Sequence, residues 1–147
     1  MLHLAQYPPG QLVAVQEIAE AQNVPKKFLD TILAELRNAG FIFSKKGKGG
    51  GYSLASPASD IGVGDIVRAI NGPLAPIPCA SKTRYKPCDD CFDEAKCAVK
   101  LIMQKAQQEL SRVLDGCSLA QMRDMPDINN VSVKPRSSKT RSMAKSR

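Results

Sequence analysis

Apolar positions along the chain keep to a helical rhythm of threes and fours, interrupted once by a short alternating stretch around a run of glycines. Residues 1–6 read as the end of a helix, which Tyr7-Pro8-Pro9-Gly10 breaks. From Val13 onward, Val15, Ile18 and Ala19 have the spacing of a short helix. Asn23-Val24-Pro25 is a turn, and Pro25 suits a helix start because the N–H it lacks would find no partner there. Lys26 to Asn38 then sets Phe28, Leu29, Ile32, Leu33 and Leu36 on one face, and Ala39-Gly40 ends the run with Gly40 as a left-handed cap. Phe41-Ile42-Phe43-Ser44 alternates as a strand, and Tyr52-Ser53-Leu54 pairs back across the glycines. Two helices joined by a short turn and followed by a hairpin predict a winged helix-turn-helix, a mainly α fold with a small β-hairpin wing.

Further along, residues 60–71 predict a helix opened by Asp60 or Gly62 and carrying Val63, Ile66, Val67 and Ile70. Gly72-Pro73-Leu74-Ala75-Pro76-Ile77-Pro78 closes the region, and a cysteine-bearing loop fills 79–97. Ala98 to Asp115 is the longest helical run, about 27 Å at 1.5 Å per residue. Its apolar stripe is Val99, Ile102, Ala106, Leu110, Val113 and Leu114, with Lys and Gln opposite. One long helix beside a small body cannot cover that stripe, so a homodimer is expected, and twofold symmetry would offer two recognition helices to a palindromic site. Ser118 to Met122 starts one more short helix. The expected organisation is a winged helix-turn-helix over 1–72, a cysteine loop over 73–97, a dimerisation helix and short final helix over 98–125, and a disordered basic tail over 126–147.

Composition changes the picture only where it is uneven. The formal net charge of the 147 residues is +7, yet Lys134, Arg136, Lys139, Arg141, Lys145 and Arg147 carry six of those charges with no acid among them. The body is therefore nearly neutral, and the tail either adds salt-sensitive, non-specific DNA affinity or merely solubilises. No run of eighteen apolar residues exists to span a membrane, and the first residues hold no basic leader with a cleavage site. A cytoplasmic protein is expected, in which clustered thiols stay reduced.

The helix beginning at Pro25 carries Lys26, Lys27 and Asp30 where exposed N–H groups and the helix dipole favour phosphate. The lysines suit phosphates, and Asp30 suits a cytosine amino group. Lys45, Lys46 and Lys48 repeat the charge beside Gly47 and three consecutive glycines. Glycine lets the backbone approach DNA closely. A nucleotide-binding Walker loop is excluded, because it runs from strand to helix through Gly-Lys-Ser/Thr, and this loop runs from strand to strand.

Cys79, Cys88, Cys91 and Cys97 fall within one loop, with two residues between Cys88 and Cys91. Such spacing fits thiolate ligation of an Fe–S cluster, 2Fe–2S or 4Fe–4S. Structural zinc is a weaker fit, since it usually takes two such pairs, and redox-active thiols are the remaining alternative. Asp89, Asp90, Asp93 and Glu94 lie between the thiols and disfavour an uncoordinated thiolate. Cys117 reads as a packing residue. His3 is the only histidine, and no nucleophile–base pair stands out, so an enzyme is not expected.

With these residues in place, the chain resembles the Rrf-two (Rrf2) family of bacterial winged-helix regulators, which includes IscR, NsrR, RirA and CymR types. The matching stretches are Gln16-Glu17-Ile18-Ala19-Glu20, Val24-Pro25-Lys26-Lys27-Phe28-Leu29-Asp30-Thr31-Ile32-Leu33, and Ser44 through the Gly49-Gly50-Gly51-Tyr52 wing to Leu54. Asp65-Ile66-Val67 and Ser118-Leu119-Ala120-Gln121-Met122 continue the match. The resemblance implies a homodimer on palindromic promoter DNA, repressing until a cluster, nitric oxide, redox or metabolite signal arrives. It places DNA contacts on Pro25, Lys27, Phe28, Asp30 and Lys46, so the full DNA-facing set is Pro25, Lys26, Lys27, Phe28, Asp30, Lys45, Lys46, Gly47, Lys48 and Tyr52. Cys91 and Cys97 match the last two of the three cysteines in cluster-binding members, whereas the first would fall at Tyr85. Cys88 and Cys79 are offered instead, and Lys100 stands where some members place a fourth ligand. Members also begin about ten residues earlier, so the first helix is expected to be shortened. A cluster-free, thiol-based or partner-protein-controlled interaction module is the competing expectation.

Overall fold

The structure, a computed structural model, describes residues 1–125; the expected basic tail lies outside them. A single 3-10 turn at Leu4–Gln6 stands where the end of a helix was expected. Helix α1 spans Val15–Ala21 and α2 spans Lys26–Asn38, matching the expected second helix end to end. The strands β1 (Ile42–Lys45) and β2 (Gly51–Leu54) form one antiparallel hairpin in which Ser44 faces Tyr52 and Lys45 faces Gly51. Helix α3 runs Val63–Asn71 with Gly62 as its cap, the later of the two openings expected, because Gly62 is still extended and bridges to Ser118. Helix α4 spans Ala98–Asp115 and α5 spans Leu119–Arg123.

Leu29, Leu33 and Leu36 fall at four- and three-residue steps and point inward together, meeting Leu4, Val13, Ile18 and Ile42 in the main core. Phe28 and Ile32, expected on the same face, are instead exposed at 67% and 39%. They sit a quarter turn back from the leucine stripe, and α1 covers only the stripe. Gly40 adopts φ +79°, so that its N–H bonds Arg37 and the Phe41 N–H bonds Leu36, closing the helix in a Schellman turn. That closure aims the chain straight into β1.

The second strand of the wing, β2, has a neighbour besides β1. Val13 exchanges two backbone hydrogen bonds of 2.9 Å with Tyr52, tying the segment before α1 to the hairpin. At this crossing a methyl on Gly51 would be driven into the carbonyl oxygen of Val13, and one on Gly50 into that of Lys45. Two of the three consecutive glycines are thus demanded by packing, whatever the wing touches.

Helix α5 folds back onto the body. Leu119 is 1% exposed and packs with Ala5 and Ile61, while its N–H bonds Ile61 at 2.8 Å. Ser118 and Gln121 cap α5 reciprocally, the capping box anticipated by neither charge nor hydropathy. Arg123 donates to the Ala5 carbonyl at 2.9 Å.

Gly51→Ala should lower the free energy of unfolding by about 1–3 kcal/mol, read from urea denaturation, because the backbone of Val13 cannot recede without breaking both bonds to Tyr52. A loss below about 0.5 kcal/mol would show that the crossing yields easily.

Candidate nucleic-acid interface and cysteine loop

The amino end of α2 is chemically bare. Pro25 is its cap residue, no side chain caps its first turn, and no acid lies in that turn. The first N–H groups of a helix have no partner within it, so this end offers unpaired donors and the positive end of the dipole. Pro25, Lys26, Lys27, Phe28 and Asp30 are all exposed around it. Phe28 is a large apolar side chain held in water beside two cations, an arrangement that a buried-core role does not explain. Asn23, the one non-glycine residue with positive φ among those described, makes the tight turn that delivers Pro25 to the start of the helix.

In the wing, Lys45, Lys46, Gly47 and Lys48 are exposed, and the turn is closed by the Gly50 N–H on the Gly47 carbonyl at 2.9 Å. Tyr52 is half-buried against the main core, so it holds the wing to the body with its ring as well as its backbone. Nine of the ten residues expected to face DNA are therefore exposed, and Tyr52 supports them from beneath.

The cysteine loop begins deep and ends at a helix. Cys79 lies in a 3-10 turn, Pro78–Ala80, packed on α4 and only 4% exposed. The exposed Cys88 thiol approaches it, with the two sulfurs 3.6 Å apart. Donation to Cys79 is the main reason that the Cys88 thiol titrates above its ordinary range. Cys91 is also raised, first by desolvation and then by its bond to Cys97. Cys97 caps α4, its sulfur accepting the Lys100 N–H at 3.5 Å. The four thiols thus stand as two pairs. Among the described residues no three His, Cys, Asp or Glu side chains converge tightly enough to hold a metal ion. In kind and number the donors suit a sulfur-ligated iron centre, but holding one would require the two pairs to close on each other.

What fixes the loop is a polar clasp that residue pattern alone does not foretell. Lys100 reaches back to Glu94 at 2.6 Å, Tyr85 donates its hydroxyl to the same carboxylate, and the ammonium lies 5.4 Å over the Tyr85 ring. Both ends of the clasp straddle cysteines. Lys100, at the position of a possible fourth ligand, is committed to Glu94. Cys117 sits at the far end of α4, its thiol raised by burial and directed at the Ser118 carbonyl.

The dimerisation stripe is open. Val99, Ile102, Leu110 and Val113 are 59%, 61%, 43% and 39% exposed, Ala106 is exposed, and Leu101 joins them at 56%. The helix buries Gln107 instead, at 7%. That residue was expected on the polar face; it is covered because α4 lies against α3 and the loop by that side.

Comparison with known proteins gives one consistent answer. A family model described as Rrf2, iron-dependent transcriptional regulator, matches residues 1–125. An rrf2-like HTH-type transcriptional regulator of Rhodobacter capsulatus is 40% identical over 112 residues, covering 76% of this chain and 75% of that protein. Protein rrf2 of Nitratidesulfovibrio vulgaris is 37% identical over 125 residues, covering 84% and 80%. Among solved structures, CymR, the global cysteine regulator of B. subtilis, superposes with a TM-score of 0.66 at 27% identity over 86% of this chain and 88% of its own. IscR of T. potens gives 0.63 at 31% identity over 82% and 75%.

Glu94 titrates below the ordinary carboxylate range because Lys100, then Tyr85, donate to its charged form. A lowered folded pKa means that the clasp contributes fully above the unfolded value and is lost as pH falls through the folded one. NMR titration should find the Glu94 midpoint below the ordinary carboxylate range, and Lys100→Met should move it up. The same variant should speed amide exchange across residues 85–97 by about threefold, the scale of a partly exposed ion pair.

Proposed function

The chain belongs to the Rrf2 family of transcriptional regulators and is not an enzyme, and from that membership we propose how its own residues divide the work. The chain binds promoter DNA as a homodimer, each copy presenting the amino end of α2 to a half-site and the lysine hairpin to the flanking backbone. The observation that carries this reading is the uncapped, acid-free first turn of α2 with Lys26, Lys27 and Phe28 standing in water. Backbone donors and lysines would neutralise phosphates and set the register; Asp30 and Phe28, further along the same turn, would meet base edges. The open stripe of α4 supports a second copy as the partner, since five large exposed apolar side chains on one helix form a seam that water penalises. A palindromic operator follows from that symmetry, and repression is taken from the family resemblance, as parts of the same proposal.

Cys79, Cys88, Cys91 and Cys97 are the sensory element. They would hold an Fe–S cluster, which when bound supplies chemistry that responds to iron, oxygen or nitric oxide. Whatever the thiols hold, Cys97 caps α4, so a change in its sulfur is felt at the first turn of the dimerisation helix. A second reading is supported by the 3.6 Å contact of the Cys79 and Cys88 sulfurs. In it the loop works without a cluster, as a thiol pair that oxidises to a disulfide or as a surface read by a partner protein.

Gel-shift titration on DNA upstream of the chain's own gene tests the interface. Lys27→Ala and Lys46→Ala should each weaken binding about five- to tenfold and lower the slope of log K against log salt by about one. Ile102→Glu should abolish the dimer in light scattering and, with it, tight operator binding. Unchanged affinity in both lysine variants would end the DNA reading of these residues.

Anaerobic isolation separates the two thiol readings. Iron and sulfide in stoichiometric amount support the cluster. A colourless protein with four titratable loop thiols, losing two to a Cys79–Cys88 disulfide on peroxide treatment, supports the second reading.

A further inference from the structure

Between α3, the start of the cysteine loop and α4 lies a cavity of about 170 Å³. Its polar walls are Arg68 from α3, Ser81 and Lys82 from the loop, and Gln107, Ser111 and Asp115 from α4, with Leu74 among the apolar ones. The DNA-reading assignment uses none of these. Gln107 is the one residue of α4 that is buried, and it is an amide on a helix whose aliphatic side chains are exposed. A buried polar group is the informative exception in a protein interior. Its amide donates to Ser111 at 2.8 Å, which keeps both side chains on the cavity wall.

The charges select a ligand. Arg68 is bound by Asp115 through two parallel bonds of 2.7 Å and also meets Asp65 at 3.4 Å, so its guanidinium adds no free positive charge to the wall. Lys82 has no ion-pair partner among the described residues. Lys82, an exposed residue on the cavity's lining, is therefore an uncompensated cation beside a space edged by hydroxyls and an amide. Water occupies about 30 Å³ per molecule in the liquid, so the volume equals about six waters. That is room for a carboxylate of three or four carbons with one further polar group.

We propose that this cavity is a binding site for a short hydroxy- or amino-monocarboxylate. The carboxylate meets Lys82, and the hydroxyl or ammonium meets Gln107, Ser111 and the outward edge of Asp115. Ser81 is held ready at the opposite wall, its hydroxyl oxygen accepting the Arg84 N–H at 3.0 Å. A molecule here touches the helix of the body, the loop that carries the thiols and the dimerisation helix at once. Occupancy therefore stabilises one arrangement of these three elements over others, and can shift DNA affinity only by its preference between them. That consequence, unlike the site itself, rests on the DNA-binding reading.

The test uses the full chain and isothermal calorimetry with L-lactate and L-serine as probes and lactamide as the uncharged control. Saturable binding of at least one acid, without binding of lactamide, is expected. Lys82→Gln, at an exposed position, should weaken it about fivefold. Gln107→Leu, close in volume, should weaken it about tenfold with its thermal midpoint checked alongside. Absence of saturation with both acids, or equal affinity in both variants, overturns the site. Operator titration with and without the bound acid reads the linkage separately: an affinity that does not move overturns the coupling while calorimetry still stands for the cavity.

Discussion

The base of the long helix is fixed to the body by a single compact joint, and the rest of the architecture depends on it. Arg68 of α3 grips Asp115, the last residue of α4, with two 2.7 Å bonds. Directly beneath, the Val63 N–H bonds the Cys117 carbonyl at 3.0 Å, and Gly62 bridges Ser118. Gly64 makes the approach possible, since a methyl there would strike the Asp115 carboxylate. The ion pair alone is half-exposed and so contributes modestly. The backbone bonds and Leu119 behind them make the joint stiff, because α5 is held on Ala58 and Ile61 by the same stretch of chain.

With its carboxyl end clamped, α4 can respond only at its other end or along its length. Its amino end is in the keeping of the cysteine loop, through the Cys97 sulfur cap and the Lys100–Glu94–Tyr85 clasp. The clasp is polar and lies near the surface, whereas the joint rests on backbone hydrogen bonds and a fully buried leucine. Local opening therefore begins at the loop, not at the body. Under the proposed function this ordering is useful. A change at the thiols tilts a lever whose fulcrum is the α3–α4 joint, and α3 packs against α2, whose amino end is the proposed reading head.

Helix positions were the most legible part of the sequence. α2 and α4 could be bounded from residue pattern because Pro25, Gly40 and the stretch before Ala98 punctuate them, and the Gly40 cap has a mechanism that depends on no distant contact. The side of α2 was read too broadly. Phe28 and Ile32 belong to the apolar pattern, but only tertiary packing decides how wide a stripe a neighbour covers, and α1 is seven residues long. Of the wing glycines, the reason assigned was close approach to DNA, whereas Gly50 and Gly51 already face the chain's own carbonyls. The cysteines announce themselves by spacing. The clasp that holds them does not, since Tyr85, Glu94 and Lys100 are ordinary residues until a turn brings them together.

Gln107 shows the same limit and what it leads to. Periodicity assigns each helix one apolar face and hands the remainder to water, which for α4 is half right. The apolar face is left open, for another copy of the chain under the proposed function, while the opposite side is pressed against α3 and the loop and cannot be entirely polar without partners. The chain meets that demand with Gln107 bonded to Ser111 and Asp115 bonded to Arg68, leaving a small polar space between them. A leucine at position 107 would have satisfied a helix whose task was only to pack. The presence of an amide there, on the lining of the same cavity as a cation with no ion-pair partner among the described residues, is why the side of α4 turned away from its apolar stripe reads as chemistry and not as filler.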